Sequence, residues 1–587
     1  VIPVVLVVGV VVCFSPAFSG ELLTWDDQAN FVDNTAWQGV GWTNLKWMAT
    51  AFHMGHYQPL TWLSFGIQHA VGASGAAAMH GVNVLLHALN AVLFFYLCRA
   101  LLRAGFGAGV NERQLALAAG LAAGLFALHP LRAESVAWVT ERRDVLSTAF
   151  LLGAALAYLR SAEVGQVRLR SRGWYAWCVV LLLLSCLCKA WGMSFFLVLL
   201  ALDLWPLRRL FNKEDTTTKT RSWHVVLEKW PMVLIGVGTA WIASRAQLGT
   251  FATKTLEQWT ATDRLVQACY GLWFYVMKSV APTGLSPLYE LPERMNPSRY
   301  VAVIVFAVVL LGAIVWCWRK CRAVSVGLII YLVLISPVLG FVQSGEQLVA
   351  DRYSYLATMP LALLVAAGVL VVARRTAAPD SKAGGLVAAL SVMAVVSLGL
   401  MTYSQGAVWR SSLSLWEHAA EVTPTSMVLV YEGDSLLNGG NVEEAQKAYG
   451  QALGANPKDG RAGFSYAVTM ERQGRTGQAE RAYLDAIPNL STRRYQAHLN
   501  LGEIYWTRGQ RDEALRQFEL AMAEVQRPDH KRPSGAPFMR MARAKGEMGD
   551  DAGAIAMLQK AAGYADTRAA AEGVLAQVKA AQQQGNK

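Results

Sequence analysis

Leu115-Ala-Leu-Ala-Ala-Gly-Leu-Ala-Ala-Gly-Leu-Phe-Ala-Leu-His-Pro-Leu-Arg-Ala-Glu-Ser-Val-Ala-Trp-Val-Thr-Glu-Arg-Arg-Asp144 is the stretch whose reading decides the fold. An apolar run ends at a short loop dense in charge, and Val145 opens another apolar run. That alternation recurs along the chain. A bilayer core takes ~20 apolar residues per helix and tolerates ~17. By that measure spans fall near residues 1–18, 79–98, 114–129, 144–160, 173–188, 191–205, 230–245, 300–317, 323–341, 355–373 and 384–403, which predicts eleven crossings. The 587 residues are 54% hydrophobic and only 16% charged, a balance that excludes a purely soluble protein.

The basic residues set the orientation, because short cytoplasmic loops collect Lys and Arg. Alternate loops hold Arg99, Arg103 and Arg113; Arg160, Arg168, Arg170 and Arg172; Arg208, Arg209, Lys213, Lys219 and Arg221; Arg319, Lys320 and Arg322; and Arg374, Arg375 and Lys382. These face the cytoplasm in this reading. Residues 19–78, 129–143, 246–299 and 342–354, with everything after 403, then lie on the opposite side. Only an even number of crossings fits between Arg221 and Arg319, so Leu265 to Met277 reads as an interfacial or re-entrant helix capped by Lys278. The first segment, opening at Val1 without Met, reads as an anchor rather than a cleaved secretory signal, despite the small residues after Pro16.

The net charge of +12 belongs almost wholly to the part before Ser404, since 22 basic and 21 acidic residues follow it. Loop orientation explains that excess, and nucleic acid is discounted as a partner. The eight cysteines sit in or beside apolar stretches without paired CxxC blocks, which indicates neither a zinc site nor a disulfide framework.

Beyond Ser404 the apolar runs stop and a period near 34 residues begins. Residues 404–425 read as a linker and 426–587 as a repeat domain. Gly433, Ala445, Tyr449 and Ala452 mark the first unit, with Pro457 after it. Ala467, Ala479, Tyr483 and Ala486 mark the second. Gly502, Tyr505, Ala514, Phe518 and Ala521 mark the third, and Ala542, Ala554, Leu558 and Ala561 a weaker fourth. Small residues at these places let two antiparallel helices approach, and an aromatic fills the gap, as in tetratricopeptide repeats. Such a solenoid offers a groove for peptides, or serves only as a folded appendage.

Charges beside membrane helix ends are expensive to place, so their positions carry information. Four clusters fall on the outer side. The first is Trp25-Asp26-Asp27, where adjacent carboxylates supply a general base for a hydroxyl or simply start a solvated loop. In the second, His129, Arg132 and Glu134 lead to Glu141-Arg142-Arg143-Asp144. The arginines there defy the positive-inside tendency, so they either pair with their own acidic neighbours or bind an anion. Lys189 stands alone between two apolar runs, and Asp351-Arg352-Tyr353 opens another span. Each alone is explained by a snorkelling charge. Together they read as carboxylates beside a cationic phosphate site at the membrane edge, which is what transfer from a lipid phosphate to a hydroxyl requires.

These motifs resemble the transmembrane and tetratricopeptide-repeat O-mannosyltransferases. The resemblance rests on Leu23 to Asn34, Tyr57-Gln-Pro-Leu-Thr-Trp62, Met79 to His87, Leu125 to Trp138, Glu141-Arg-Arg-Asp144 and Ala350 to Leu356, in that order, with repeats at the C-terminus. Asp203-Leu-Trp-Pro-Leu-Arg-Arg209 is similar to bacterial members. Lys189-Ala190 departs from the Lys-Glu of animal members, which puts an acidic role at that position in doubt.

The resemblance implies an all-α protein: a polytopic GT-C-type transmembrane domain over 1–403 followed by the repeat solenoid. It implies an integral membrane glycosyltransferase that moves a hexose, mannose by family precedent, from a polyprenyl monophosphate to Ser or Thr hydroxyls of proteins. Transfer would occur at the non-cytoplasmic face, with inversion, without a metal or other cofactor. The setting would be a bacterial inner membrane, with the N-terminus cytoplasmic and the repeats periplasmic and available to acceptor peptides. Asp27, with Asp26 positioning, would be the base. Arg143, Lys189 and Arg352 would hold the donor phosphate, with His129 and Arg132 orienting, and Glu134, Asp144, Asp351 and Tyr353 supporting. The rival readings are an enzyme glycosylating a lipid or glycan, a membrane scaffold and a transporter. Eleven spans exceed what anchoring needs, and a transporter would place its charges near the midplane.

Overall fold

The computed structural model describes residues 1–166, 168–210, 218–248, 254–342, 345–375, 382–527 and 533–585. They form two units, Val1–Val422 and Thr423–Lys587, and both are helical. Lys213 of the third basic loop lies outside the described residues, as do the side chains of Lys219, Arg221 and Lys382.

Each expected span contains a helix, but their lengths differ widely. By length and composition, Ala76–Phe106, Trp223–Gln247, Pro297–Lys320 and Gly384–Val408 suffice to cross a membrane. Two further candidates are bent pairs: Glu112–Ala127 with Pro130–Ala137, and Asp351–Ala357 with Met359–Arg375, turned by 56° and 55°. Ile2–Cys13, Arg172–Cys188, Ala190–Leu204 and Arg322–Val338 are shorter apolar helices. Ile2–Cys13 ends where Phe14 leads into the tight turn Ser15–Ser19. The outward faces agree with a lipid surround, since Val301, Val305, Val308, Val309, Val315 and Trp316 are all exposed on one helix.

Both bends fall where polar residues interrupt the apolar runs, and both lie in the charged clusters singled out above. Pro130 starts a tight turn after His129, and Asp351–Tyr353 form another. Tyr289–Glu290 pair antiparallel with Gln347–Val349, which ties the loop after Leu285 to the Asp351 turn. The segment Leu265–Met277 lies within a helix, Ala261–Val280, whose start is closed by a reciprocal Thr260–Asp263 capping box. Residues 404–425, read as a linker, are mostly helical, and all but the last three belong to the first unit. Ser412–Val422 is a helix whose Ser412 hydroxyl accepts from Thr24 N at 2.9 Å and whose Trp416 meets Trp25 edge-on.

At one end of the first unit Arg99, Arg103 and Arg160 line a single cavity, and Arg374 donates to Gly109 O at 2.7 Å. Arg209, counted with the solvated loops, is instead fully buried. Its Nη1 lies 2.7 Å from Glu228 Oε1 and 3.0 Å from Asp203 Oδ1, while Lys229 bridges to Asp203 at 2.8 Å and Tyr158 donates to the same carboxylate. Two cations and two carboxylates neutralise each other there, so Arg209 does not act as a free topology signal.

Among the described residues the second unit stacks four helix pairs and a further helix, Arg568–Gly585. Its small residues do what the period implies. A Cβ on Gly433 would come within 2.5 Å of the Tyr449 ring, and one on Gly502 within 2.4 Å of Phe518, so only glycine lets the aromatic seat. Gly474 and Gly509 close the first helices of their pairs at φ of 73° and 77°, a backbone that side-chain-bearing residues rarely adopt.

Candidate active site

The helix Arg142–Ser161 begins directly after a turn at Val139–Glu141, which fixes Glu141 and Arg143 at the end of a rigid element. Glu141 is fully buried and gathers three cations from three separate parts of the chain. Arg143 Nε donates to it at 3.1 Å, Lys189 Nζ lies at 2.9 Å and Arg352 Nε at 3.5 Å. Burial alone would raise the Glu141 carboxyl. Arg143, Lys189 and Arg352 outweigh it and hold the group well below the ordinary carboxylate value. Lys189 also pairs with Asp144 at 2.6 Å, and Asp144 accepts from Trp191 Nε1 and from Ser135. Glu134 accepts from the Arg352 backbone at 2.7 Å and pairs with its guanidinium. Asp351 accepts from Tyr289 at 3.0 Å, and Tyr353 accepts from Gln347 at 2.7 Å.

The three cations meet three carboxylates, so attraction for an anion rests on donors these pairs leave over. Arg143 spends Nε and Nη2 on Glu141, Arg352 spends Nε and Nη1, and Lys189 spends two of its three protons. Arg143 Nη1, Arg352 Nη2 and one ammonium proton of Lys189 make no bond with any described residue. Arg143, Lys189, Arg352 and Tyr353 line a cavity of about 600 Å³ together with Trp25 and Asp26. Its other wall is apolar, formed by Leu183, Leu187, Leu234, Ile235 and Ile242. Charged groups on one wall and hydrocarbon on the other suit an amphiphile with an anionic head.

The two adjacent carboxylates separate into different environments. Asp26 faces the cavity, and its carboxylate makes no hydrogen bond or ion pair with any described residue. Burial pushes its pKa above the ordinary value, opposed by Arg143 and Arg352 and reinforced by Glu141. Asp27 does not line the cavity and is fully buried. Its oxygens accept from Leu23 N at 3.1 Å, Thr140 N at 3.1 Å and Thr140 Oγ1 at 2.6 Å. Asp27, expected as the base, thus pins the loop, and of the two carboxylates it is Asp26 that lines the cavity.

The arginines that break the positive-inside tendency also divide. Arg142 is consumed by Asn83, Gln68 and Met79 O at 2.6–2.9 Å and lies over Phe65. Arg132, expected as an orienter, donates to Thr358 at 2.8 Å between the rings of Phe126 and Tyr355, away from the cavity. His129 meets Ser279 O at 3.2 Å and accepts from Leu131 N, so it shapes its own turn. Tyr289, close after Leu285 in the chain, donates to Asp351 and holds that turn in place.

Among the cavity residues with no role assigned from sequence are His56, Gln58 and Trp138. Burial, then Arg143 and Lys189, hold the His56 imidazole well below its ordinary pKa, so it is neutral. Trp25 stacks on Trp138 with ring centroids 4.6 Å apart. A usable signal for His56 and Gln58 was His-Met-Gly-His-Tyr-Gln immediately before Pro59, polar residues at the start of an otherwise apolar helix. Among the described residues no group of three or more His, Cys, Asp and Glu side chains is gathered as a metal would require.

A model described as tetratricopeptide repeat matches residues 495–523. The chain is 27% identical to protein O-mannosyl-transferase Tmtc3 of Drosophila melanogaster over 489 residues, covering 73% of this chain and 52% of that protein. It is 28% identical to mouse TMTC2 over 226 residues, 37% of this chain and 26% of the relative. Mouse TMTC4 is 26% identical over 76% of this chain and 65% of its own length. The chain spans about half the length of the first of these relatives.

Proposed function

We propose that this homologue of the transmembrane and tetratricopeptide-repeat O-mannosyltransferases is itself an integral membrane glycosyltransferase acting on proteins. Its donor is a hexose on a polyprenyl monophosphate, mannose by the names its relatives carry, and its acceptors are Ser and Thr hydroxyls. The observation that supports this most is the single cavity in which Asp26, Arg143, Lys189 and Arg352 face an apolar wall.

Asp26 takes the acceptor proton as the hydroxyl oxygen attacks the anomeric carbon. The bond from that carbon to the phosphate oxygen breaks, and the polyprenyl phosphate leaves with the electron pair. Attack opposite the leaving group inverts the anomeric centre. The uncommitted donors of Arg143, Arg352 and Lys189 meet the charge that develops on the phosphate, so this scheme calls on no resident cofactor. Glu134, Glu141 and Asp144 keep those cations in place before the donor arrives. The apolar wall takes the first isoprene units, and the repeats hold acceptor proteins. The cavity opens on the non-cytoplasmic side of a bacterial inner membrane, with the N-terminus inside and the repeats outside.

The test is transfer of radiolabelled mannose from polyprenyl phosphate to protein in membranes. Asp26→Asn loses transfer by about 10²-fold or more while accumulating normally. Undiminished transfer in that variant overturns the assignment, and label appearing in lipid or glycan rather than protein overturns the acceptor.

A further inference from the structure

The cavity contains more polar capacity than a phosphate uses. Gln58 is 6% exposed and Trp138 1% exposed, and both line it. Gln58 Oε1 and Trp138 Nε1 are buried without a hydrogen-bond partner among the described residues. Native structures satisfy nearly all such atoms, and each one left bare is costly. One is an acceptor and the other a donor, and they come from segments 80 residues apart. Trp138 is engaged through its ring by Trp25, and the Arg352 guanidinium lies 5.7 Å from its centroid. Its N–H remains for something else. His56, in the turn just before Gln58, adds a ring that makes no side-chain hydrogen bond with any described residue.

We propose that Gln58 and Trp138, with His56 beside them, form the subsite that reads the hydroxyls of the transferred sugar. This rests on the reading of the cavity as a donor site. A sugar joined to a phosphate by one glycosidic oxygen must lie within a few ångströms of the phosphate, so it occupies the same cavity as Arg143, Lys189 and Arg352. Those cations suit the phosphate. Sugar hydroxyls both donate and accept, which matches uncharged partners of each kind better than more cations. A site that bonds a hydroxyl also rejects ligands lacking it, because its own buried groups would then stay unpaired. Gln58 and Trp138 therefore determine which sugar is held, while the cations determine that a phosphate is attached.

The experiment is isothermal titration of the purified full chain in detergent with two probes, citronellyl phosphate and citronellyl phosphoryl-mannose. Wild type binds the sugar-bearing probe at least tenfold more tightly. Trp138→Phe keeps an aromatic ring against Trp25 and removes the N–H along with part of the indole; Gln58→Met keeps the length and removes the amide. Each weakens the sugar-bearing probe about fivefold, the worth of one hydrogen bond, and leaves citronellyl phosphate within twofold. Arg143→Gln weakens both probes. Variants that bind both probes as wild type does, or that lose both equally, overturn the subsite while the donor reading stands. A selective loss of a serine-containing acceptor peptide, with sugar binding intact, also overturns it. Wild type binding neither probe overturns the donor reading, and the subsite with it. If Trp138→Phe lowers the melting temperature, Gln58→Met decides alone.

Discussion

At the scale of single residues, Asp26 and Asp27 show how one position separates chemistry from architecture. Three donors fix Asp27, so Asp27→Asn leaves one of them facing an amide N–H and lowers stability by roughly 1–3 kcal/mol. Its residual transfer then tracks the amount of folded protein, which a thermal shift and an activity assay on the same sample separate. Burial pushes Asp27 up to about 7, against those hydrogen bonds. A folded-state pKa above the unfolded ~3.9 means that the folded state binds the proton more tightly. Its stabilising contribution is complete below the unfolded value and fades as pH rises through 7. The melting temperature of the wild type should accordingly fall between pH 5 and 8, and the slope should flatten in Asp27→Asn. In the proposed mechanism Asp26 acts on rate instead. It must be ionised to accept a proton, and its carboxyl is raised, so transfer at saturating donor falls on acidification at a pH above the usual carboxylate range. An acid limb at or below pH 4 would argue against Asp26 as the base. The sequence placed both acids at the outer membrane edge, but it held no signal for which one turns toward the cavity. That choice depends on Thr140, 113 residues away, whose backbone and hydroxyl take Asp27.

At the scale of elements, what was legible follows from periodicity. Gly433, Gly502, Tyr449 and Phe518 announce helix pairs because the approach of two helices requires small and aromatic residues at fixed intervals. Gly502→Ala forces Phe518 to move, at a cost of about 1–3 kcal/mol. Gly546→Ala is its control: the added Cβ finds its nearest neighbour, Ala554 Cβ, at 3.8 Å, and alanine favours helix. Hydrogen exchange should show lost protection across Arg494–Val525 in the first variant, with none lost in the second. Equal behaviour of the two would discount the close packing. What periodicity could not reveal were helix lengths and the fate of individual charges. Ile2–Cys13 ends because Phe14 passes into the tight turn Ser15–Ser19. Arg132, Arg142 and Arg143 look alike in the chain. Only the last faces the cavity, because Asn83, Gln68 and Thr358 arrive from other elements to take the first two.

At the scale of the whole membrane unit, charge is sorted to two ends. Arg143 and Arg160 start and finish one helix, and 17 residues at ~1.5 Å separate them by roughly 25 Å, close to a bilayer core. Arg143 sits with the cavity, and Arg160 shares its own cavity with Arg99 and Arg103. The helix Val301–Lys320 gives a direct test of sidedness, because exposed residues flank it. Cys321 is exposed beside Arg319, Lys320 and Arg322, and Glu293 is exposed before the helix begins. A membrane-impermeant maleimide should label Cys321 in inverted vesicles and not in intact cells. In a Cys321→Ser background, Glu293→Cys should give the reverse. If both positions label from the same face, Val301–Lys320 does not cross, the parity that places Asp26 and Asp351 outside fails, and the cavity would have to draw its donor from the cytoplasmic leaflet. If they label from opposite faces but in the inverted sense, the crossings stand. The basic loops would then no longer report the cytoplasm, which the positive-inside tendency makes the least expected result for a chain with Arg99, Arg103 and Arg160 gathered at one end.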